Sequence, residues 1–192
     1  MASYSGAVLA GGLSSRFASK RKPEDKALFV YRNKPLAAWA LESLEGASER
    51  FLVSDREYPF EVPVYPDLLP GGGSLSGLHS ALHHAEEEWV ALAACDMPFL
   101  TPLFWAHLLK YRPENPLGAP IVVGKGPGAS LQPLAALYHR SLLEKVEHNI
   151  QAERLSLQRL AREESAVVVP WRELSPLGKN LYLNANRKDD LP

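Results

Sequence analysis

The chain has 192 residues, of which 46% are hydrophobic and 22% are charged, and its net charge is −1. This size and composition suit one folded domain with a sizeable core, so residues 1–192 are expected to form a single domain. The near-zero net charge provides no basic field for a nucleic acid partner. We see neither a signal peptide nor an apolar run near the roughly 20 residues of a membrane span. The single cysteine, Cys95, cannot form an internal disulfide, which favours a cytoplasmic location.

The chain opens with an apolar run that ends in two glycines. Residues 7–10 predict a buried first strand, and Gly11 and Gly12 predict a sharp turn whose backbone can approach a bound group. Exposed amides in such a turn attract anions, and Arg16 and Lys26 supply cations that suit phosphate. The spacing matches neither GxxxxGK[ST] nor GxGxxG. Taken alone, two glycines after a strand form a simple tight turn more often than a nucleotide site.

Further along the chain, apolar strands alternate with amphipathic helices. This alternation predicts a mostly parallel sheet that is covered on both faces. The predicted strands cover residues 4–10, 50–54, 61–65, 89–94, 119–123, 133–137 and 165–169. The predicted helices cover residues 35–45, 74–87, 101–111, 139–149 and 155–163. A last short apolar strand is expected at 181–183.

An acidic residue follows one strongly apolar strand. Residues 91–94 lead to Asp96, and Pro98 stops the strand. Ligands of open parallel sheets bind outside the carboxyl ends of the strands, and a carboxylate there suits Mg²⁺. The alternative is that Asp96 caps the following helix, but Thr101 and Pro102 are better placed to begin it. The pattern therefore favours a metal site at Asp96.

A second acidic residue, Asp67, follows the predicted strand 61–65. The glycine-rich residues 71–77 then open a helix, and its N-terminus can receive a phosphate or a polar ring. The alternative is a flexible connection with Ser74 or Ser76 as the helix cap, and the residues alone leave both open. If Asp67 lies close to Asp96, the two carboxylates are expected to repel each other without metal.

Taken in order, these elements resemble the molybdenum cofactor guanylyltransferases, which are MobA-like nucleotidyltransferases. The matching positions are Leu9, Ala10, Gly11, Gly12, Ser14, Arg16, Asp25, Lys26, Asp67, Leu75, Ser76, Gly77, Cys95, Asp96, Met97, Pro98, Gln132, Pro133, Leu134, Asn184 and Asn186. The resemblance implies an α/β fold, a single Rossmann-like three-layer domain of the nucleotide-diphospho-sugar transferase type. It also implies binding of GTP and Mg²⁺ and transfer of GMP to molybdopterin, with release of pyrophosphate. Transient contact with other proteins of molybdenum cofactor biosynthesis is a further expectation.

The resemblance also implies roles for individual residues. The GTP site would be lined by Leu9, Ala10, Gly11, Gly12, Lys26, Ser54, Asp67, Gly77 and Asp96. The catalytic residues would be Arg16, Lys26 and Asp96, with Asp96 as the ligand of Mg²⁺. The family often has Asn where this chain has Ser54, and the segment 17–25 is longer than usual.

Two other functions are compatible with the motifs. One is a cytidylyltransferase that transfers CMP to the same pterin, and the other is a nucleotide-binding regulator without catalysis. Gly11–Gly12 and the Leu75–Gly77 turn match the guanine-using relatives. Lys26, Asp67 and Asp96 argue against a regulator that has lost its catalytic activity. Cys95 is interpreted as a small buried residue, because no basic neighbour in sequence would activate its thiol.

Overall fold

The computed structural model describes residues 3–10, 25–185 and 190–192. Its strands are β1 (Ser5–Leu9), β2 (Val30–Tyr31), β3 (Lys34–Pro35), β4 (Glu49–Val53), β5 (Val64–Tyr65), β6 (Trp89–Ala94), β7 (Ile121–Lys125), β8 (Leu131–His139) and β9 (Val167–Val169). Its α-helices are α1 (Leu36–Ser43), α2 (Ser74–His84), α3 (Pro102–Leu109), α4 (Leu143–Gln151), α5 (Leu157–Glu163) and α6 (Trp171–Leu174). Short 3₁₀ helices occur at Lys26–Leu28, Arg140–Leu142 and Ser175–Leu177.

Seven strands form one sheet in the order β5-β4-β1-β6-β8-β7-β9. Neighbouring strands are parallel except at β8, which runs antiparallel to both β6 and β7. The predicted α/β architecture with a mostly parallel sheet is therefore confirmed. Strands β2 and β3 form a separate two-stranded hairpin.

The central strands are apolar on both faces because helices cover both faces of the sheet. Every residue of β6 is buried. Side chains of a strand alternate between faces, so Ala91 and Ala93 join one core while Val90 and Leu92 join the other. Helices α1 and α3 contribute to the first core, and α2, α4 and α5 contribute to the second. The result is three layers, as the sequence predicts.

The differences from the predicted elements have local causes. Residues 181–183 form no strand; Leu183 closes a turn by donating to the Asn180 carbonyl at 2.9 Å. Their apolar character comes from packing, because Leu181 is buried and Tyr182 contacts the ring of Phe104. The β2–β3 hairpin and α6 were not predicted. The hairpin turn is built by Arg32 and Asn33, both with positive φ.

None of the described helices is long and apolar enough to cross a membrane.

Gly124, in β7, is expected to tolerate no side chain. A Cβ atom there would lie 2.0 Å from Tyr182 Oη and 2.6 Å from Leu174 Cδ1. Gly124→Ala should therefore lower the free energy of unfolding by about 1–3 kcal/mol through overpacking. Gly118→Ala is the matched control, since its Cβ would meet only the Asn115 carbonyl oxygen at 3.8 Å. Denaturant unfolding of both variants checks the prediction, and equal stability of the two would contradict it.

Candidate functional site

Three neighbouring parallel strands end together at one edge of the sheet. The register of β1 aligns Leu9 with Val53 of β4 on one side and with Ala94 of β6 on the other. The hydrogen bonds continue one residue further, because Ala10 N donates to the Val53 carbonyl at 3.0 Å and Cys95 N donates to the Leu9 carbonyl at 3.1 Å. The residues that follow these strands are therefore delivered to one place, the carboxyl edge where open sheets bind ligands.

Lys26 and Asp96 form an ion pair at this edge. Lys26 Nζ lies 2.6 Å from Asp96 Oδ2, and the two side chains are only 13% and 18% exposed. Lys26 begins the 3₁₀ helix that Asp25 caps. Because the pair is shielded from water, its attraction exceeds that of an exposed salt bridge, although desolvation of both charges offsets part of it. Two residues predicted separately, one for phosphate and one for metal, lie side by side.

Asp96 keeps one carboxylate oxygen available for a ligand. Within the described ranges, no donor reaches its buried Oδ1, whereas Oδ2 accepts from Lys26. Asp96 is not a helix cap, because Thr101 caps α3 by accepting from Phe104 N at 3.3 Å. The Asp96 carbonyl accepts from Ala185 N at 2.8 Å, which fixes the backbone against the C-terminal segment. A buried carboxylate oxygen without a donor has the chemistry of a cation ligand.

Asp25, immediately before Lys26, is held by donors from two segments. Its Oδ1 accepts from Ala27 N at 3.0 Å, and its Oδ2 lies 2.9 Å from a guanidinium nitrogen of Arg56 and 3.0 Å from Tyr58 Oη. Tyr58 Oη also lies 2.8 Å from the Ala10 carbonyl oxygen. Burial raises the pKa of Tyr58 to about 12. Sequence analysis missed Arg56 and Tyr58, since nothing in a polar loop marks which side chains will face the site.

Ser54 follows β4 at the same edge, but its hydroxyl serves the local turn. Ser54 is buried, and its Oγ accepts from Arg56 N at 3.1 Å while its N–H donates to the Tyr65 carbonyl at 2.8 Å. A side chain that bonds the backbone two residues on stabilises a tight turn. Ser54 therefore helps to direct the segment that carries Arg56.

Asp67 has a different acidic neighbour from the one expected. Its backbone N–H donates to Asp55 Oδ1 at 3.2 Å. Burial, and secondarily the charge of Asp55, raise the pKa of Asp67. The repulsion expected if Asp67 lies close to Asp96 stays a prediction: the neighbouring charge that raises the pKa of Asp67 is that of Asp55, and Asp96 is paired with Lys26.

Gly77 allows α2 to approach the end of β1. A Cβ atom at Gly77 would lie 2.8 Å and 3.0 Å from the two Cδ atoms of Leu9. Neither Ser74 nor Ser76 caps α2, because Gly73 occupies the cap with φ of 58°. Ser76 instead ties the glycine loop, accepting from Gly72 N at 2.8 Å and donating to the Leu69 carbonyl. The structure thus gives Gly77 a packing role beside the site.

A cleft of about 460 Å³ opens between the glycine loop and the start of β8. It is lined by Gly71, Gly72, Gly73, Ser74, Pro133, Leu134, Leu155, Ser156, Leu157 and Gln158. Two hydrogen bonds fix the wall that the start of β8 forms. Buried Tyr138 donates to the Pro133 carbonyl at 2.7 Å, and Gln158 Nε2 donates to the Leu131 carbonyl at 2.6 Å. The cleft brings together two motifs that lie far apart in the chain, 71–77 and 132–134.

Cys95 fits its predicted structural role. The residue is buried, and burial, followed by the neighbouring charge of Asp96, raises the pKa of its thiol to about 12. The thiol is therefore protonated near neutral pH and is a poor nucleophile. Among the described residues, no group of three His, Cys, Asp or Glu side chains is arranged to hold a metal ion. A metal at Asp96 would need further ligands from a substrate, as Mg²⁺ in phosphate sites has.

Five predicted positions lie outside the residues that the structure describes: Gly11, Gly12, Ser14, Arg16 and Asn186.

Comparison with known proteins identifies the family. Residues 6–172 match the model of the MobA-like NTP transferase domain. A probable molybdenum cofactor guanylyltransferase of Deinococcus radiodurans is 36% identical, over 96% of this chain and 90% of the relative. One of the same name from Pyrococcus furiosus is 32% identical, over 97% and 93%. The crystal structure of molybdopterin-guanine dinucleotide biosynthesis protein A from Archaeoglobus fulgidus superposes with a TM-score of 0.77 at 28% identity, covering 97% of this chain and 94% of that one. The chain belongs to the MobA-like NTP transferase domain family and is a nucleotidyltransferase.

Proposed function

We propose that this protein transfers GMP from GTP to molybdopterin, forming a molybdopterin guanine dinucleotide and releasing pyrophosphate. The observation that carries the proposal is the Lys26–Asp96 pair at the carboxyl edge of the sheet. The pair joins the cation that we propose for phosphate to the carboxylate that we propose for metal, in a chain that resembles guanylyltransferases along most of its length. CMP transfer to the same pterin is the alternative that the nucleotide preference decides.

Asp96 is the proposed ligand of Mg²⁺. Nucleotidyltransferases of this family generally use a divalent metal ion. The buried Oδ1, which no described donor reaches, fits a hard cation that binds one carboxylate together with phosphate oxygens. When bound, Mg²⁺ supplies positive charge that offsets the negative charge on the phosphates.

The proposed reaction is a direct displacement at phosphorus. A terminal phosphate oxygen of molybdopterin forms a bond to the α-phosphorus of GTP, while the bond from that phosphorus to pyrophosphate breaks. Lys26 and Arg16 stabilise the negative charge that collects on the departing pyrophosphate. Such a transfer depends mainly on positioning and electrostatics, and the attacking phosphate is already ionised near neutral pH. The mechanism therefore needs neither a covalent enzyme intermediate nor a strong general base.

Lys26 would change partners when the nucleotide binds. Without substrate its ammonium group neutralises Asp96. We propose that it turns to the phosphates once the triphosphate is bound. The other proposed GTP-site residues are Leu9, Ala10, Gly11, Gly12, Ser54, Asp67 and Gly77.

The remaining expectations are also proposals. We propose that residues 1–192 form one domain, which is supported by the single sheet that runs from Ser5 in β1 to Val169 in β9. The lone Cys95 supports a cytoplasmic location, since disulfides mark oxidising compartments. Transient contact with other proteins of the cofactor pathway follows from the need to pass on the product.

GTP is expected to bind more tightly than CTP, UTP or ATP in the presence of Mg²⁺, because the glycine turns of this chain match the guanine-using relatives. Titration calorimetry with each nucleotide measures the preference. A clear preference for CTP would replace guanylyl transfer with cytidylyl transfer as the function.

Lys26→Ala should lower turnover by roughly 10²- to 10³-fold, as expected when one preorganised charge-assisted donor is lost. It should also lower the free energy of unfolding by about 1–2 kcal/mol, because Asp96 loses a partner in a partly buried pair. Lys145→Ala is the matched control, since Lys145 pairs with Glu164 at 2.9 Å away from the site. Near-normal pyrophosphate release by a folded Lys26→Ala protein would refute the role.

Asp96→Asn should raise the Mg²⁺ concentration needed for activity and lower turnover steeply. The side chain keeps its size but loses the charge that a metal and Lys26 both require. The pairing with Lys26 also decides the expected stability. Because Asp96→Asn removes the charge that faces Lys26, the melting temperature of the ligand-free variant should fall rather than rise. Glu164→Gln, which removes the charge from the other lysine pair, controls for the substitution itself. Normal turnover with an unchanged Mg²⁺ requirement would exclude Asp96 as the ligand.

A further inference from the structure

The segment after β4 is built to reach the residue before Lys26. The Ser54 hydroxyl closes a turn on Arg56 N at 3.1 Å, and two residues later the ring of Tyr58 is buried. That ring stacks on Phe60 with centroids 6.0 Å apart and planes 22° apart. The packing holds the Tyr58 hydroxyl in place, and the turn directs Arg56 along the surface beside it.

Both side chains meet at the Asp25 carboxylate. Arg56 and Tyr58 approach Oδ2 at 2.9 Å and 3.0 Å, while Oδ1 accepts from Ala27 N at 3.0 Å and so caps the 3₁₀ helix. Ala27 N and Arg56 donate to Asp25, and the single proton of the Tyr58 hydroxyl is shared between Asp25 and the Ala10 carbonyl, so the carboxylate is fixed in position and orientation. Since Lys26 is the next residue, the direction in which it leaves the backbone is fixed as well.

Charge gives Arg56 a second effect. Without a cation beside it, the Asp25 carboxylate would compete with Asp96 for the Lys26 ammonium and would repel an incoming phosphate. Arg56 compensates that charge through its 2.9 Å contact with Asp25 Oδ2, and its own side chain is 47% exposed. The pairing leaves the Lys26 ammonium directed to Asp96.

The Tyr58 hydroxyl joins this turn to the end of β1. Its oxygen is within hydrogen-bond distance of the Ala10 carbonyl, at 2.8 Å, as well as of Asp25. With its pKa raised to about 12 by burial, the hydroxyl keeps its proton and remains a donor near neutral pH. One side chain thus links Ala10, a residue of the proposed nucleotide site, to Asp25, which lies 15 positions later and directly before Lys26.

From this geometry we infer that Arg56 and Tyr58 are positioning residues for catalysis. They hold Asp25 so that Lys26 presents its ammonium group to Asp96 and, with substrate bound, to the phosphates. The kinetic part of this inference rests on the proposed function, whereas the placement of Lys26 can be measured without it.

The kinetic test compares Arg56→Met and Tyr58→Phe in two backgrounds, the unmodified protein and Lys26→Ala. In the unmodified protein, pyrophosphate release should slow by about tenfold in kcat, less than for direct loss of a transition-state donor, with little change in KM for GTP. In the Lys26→Ala background neither substitution should lower kcat further, because both act through Lys26.

Arg56→Lys should recover part of the rate, since it restores the charge. Tyr111→Phe, which removes another tyrosine–carboxylate bond, to Glu173, should leave kcat unchanged.

The second readout is independent of turnover. In protein labelled with ¹³C-lysine, the Lys26 signal is identified by its absence from Lys26→Ala. Arg56→Met and Tyr58→Phe should shift that signal in the ligand-free protein, and Tyr111→Phe should not. If Tyr58→Phe fails to fold, the more exposed Arg56→Met carries the test. Equal losses of kcat in both backgrounds, or an unmoved Lys26 signal, would overturn the inference. Absence of GTP turnover in the unmodified protein would instead refute the proposed function and leave the spectroscopic test standing.

Discussion

The positions of the site residues depend on one constraint, which is that strands β1, β4 and β6 end side by side at the same edge of the sheet. Parallel pairing in register brings Leu9, Val53 and Ala94 into line, so the chain leaves the sheet three times at one place. Alanines in β6 help, because Ala91 and Ala93 present small side chains to the core that α1 and α3 cover. This arrangement gathers a backbone carbonyl, a turn and a carboxylate from three distant parts of the sequence without any long side chain having to reach across.

At this edge of the sheet, the positive charge of Lys26 and the negative charge of Asp96 neutralise each other. Each charge stabilises the other in a place where neither is well solvated. A triphosphate with its metal carries both signs of charge, so it can satisfy both residues at once. In the proposed function, binding would exchange partners rather than create new charge pairs, and contacts of the same kind would offset the cost of separating Lys26 from Asp96.

The sequence predicts the sheet well because buried strands leave a strong local signal. The run that ends at Asp96 is apolar throughout, and the proline after it marks the exit. The pairing of Asp96 with Lys26 was out of reach, since 70 residues separate them and no local pattern sets the path between. Arg56 and Tyr58 resemble ordinary loop residues until the fold brings Asp25 to them.

Packing explains one error of interpretation and adds a constraint to one predicted site residue. Residues 181–183 are as apolar as a strand, but Leu181 is buried by tertiary contacts without pairing into a sheet. Gly77 is a predicted ligand-binding position, and packing also requires that it have no side chain, because a Cβ atom there would meet Leu9. A sequence motif indicates that a residue is constrained, but it does not show whether a ligand or another part of the protein imposes the constraint. Only the assembled fold separates contact with a ligand from contact with a helix.

The reversed strand β8 has a consequence for how this scaffold can change. Because β8 runs antiparallel to β6 and β7, its first residues and the last residues of β7 share the edge that holds the site. The two strands are joined there by a short turn, in which Gly126 N donates to the Ser130 carbonyl at 2.9 Å. A hairpin tip accepts insertions without disturbing the paired strands behind it. Lengthening or shortening residues 126–130 would therefore change the surface next to this edge during evolution while the paired strands behind it stayed as they are.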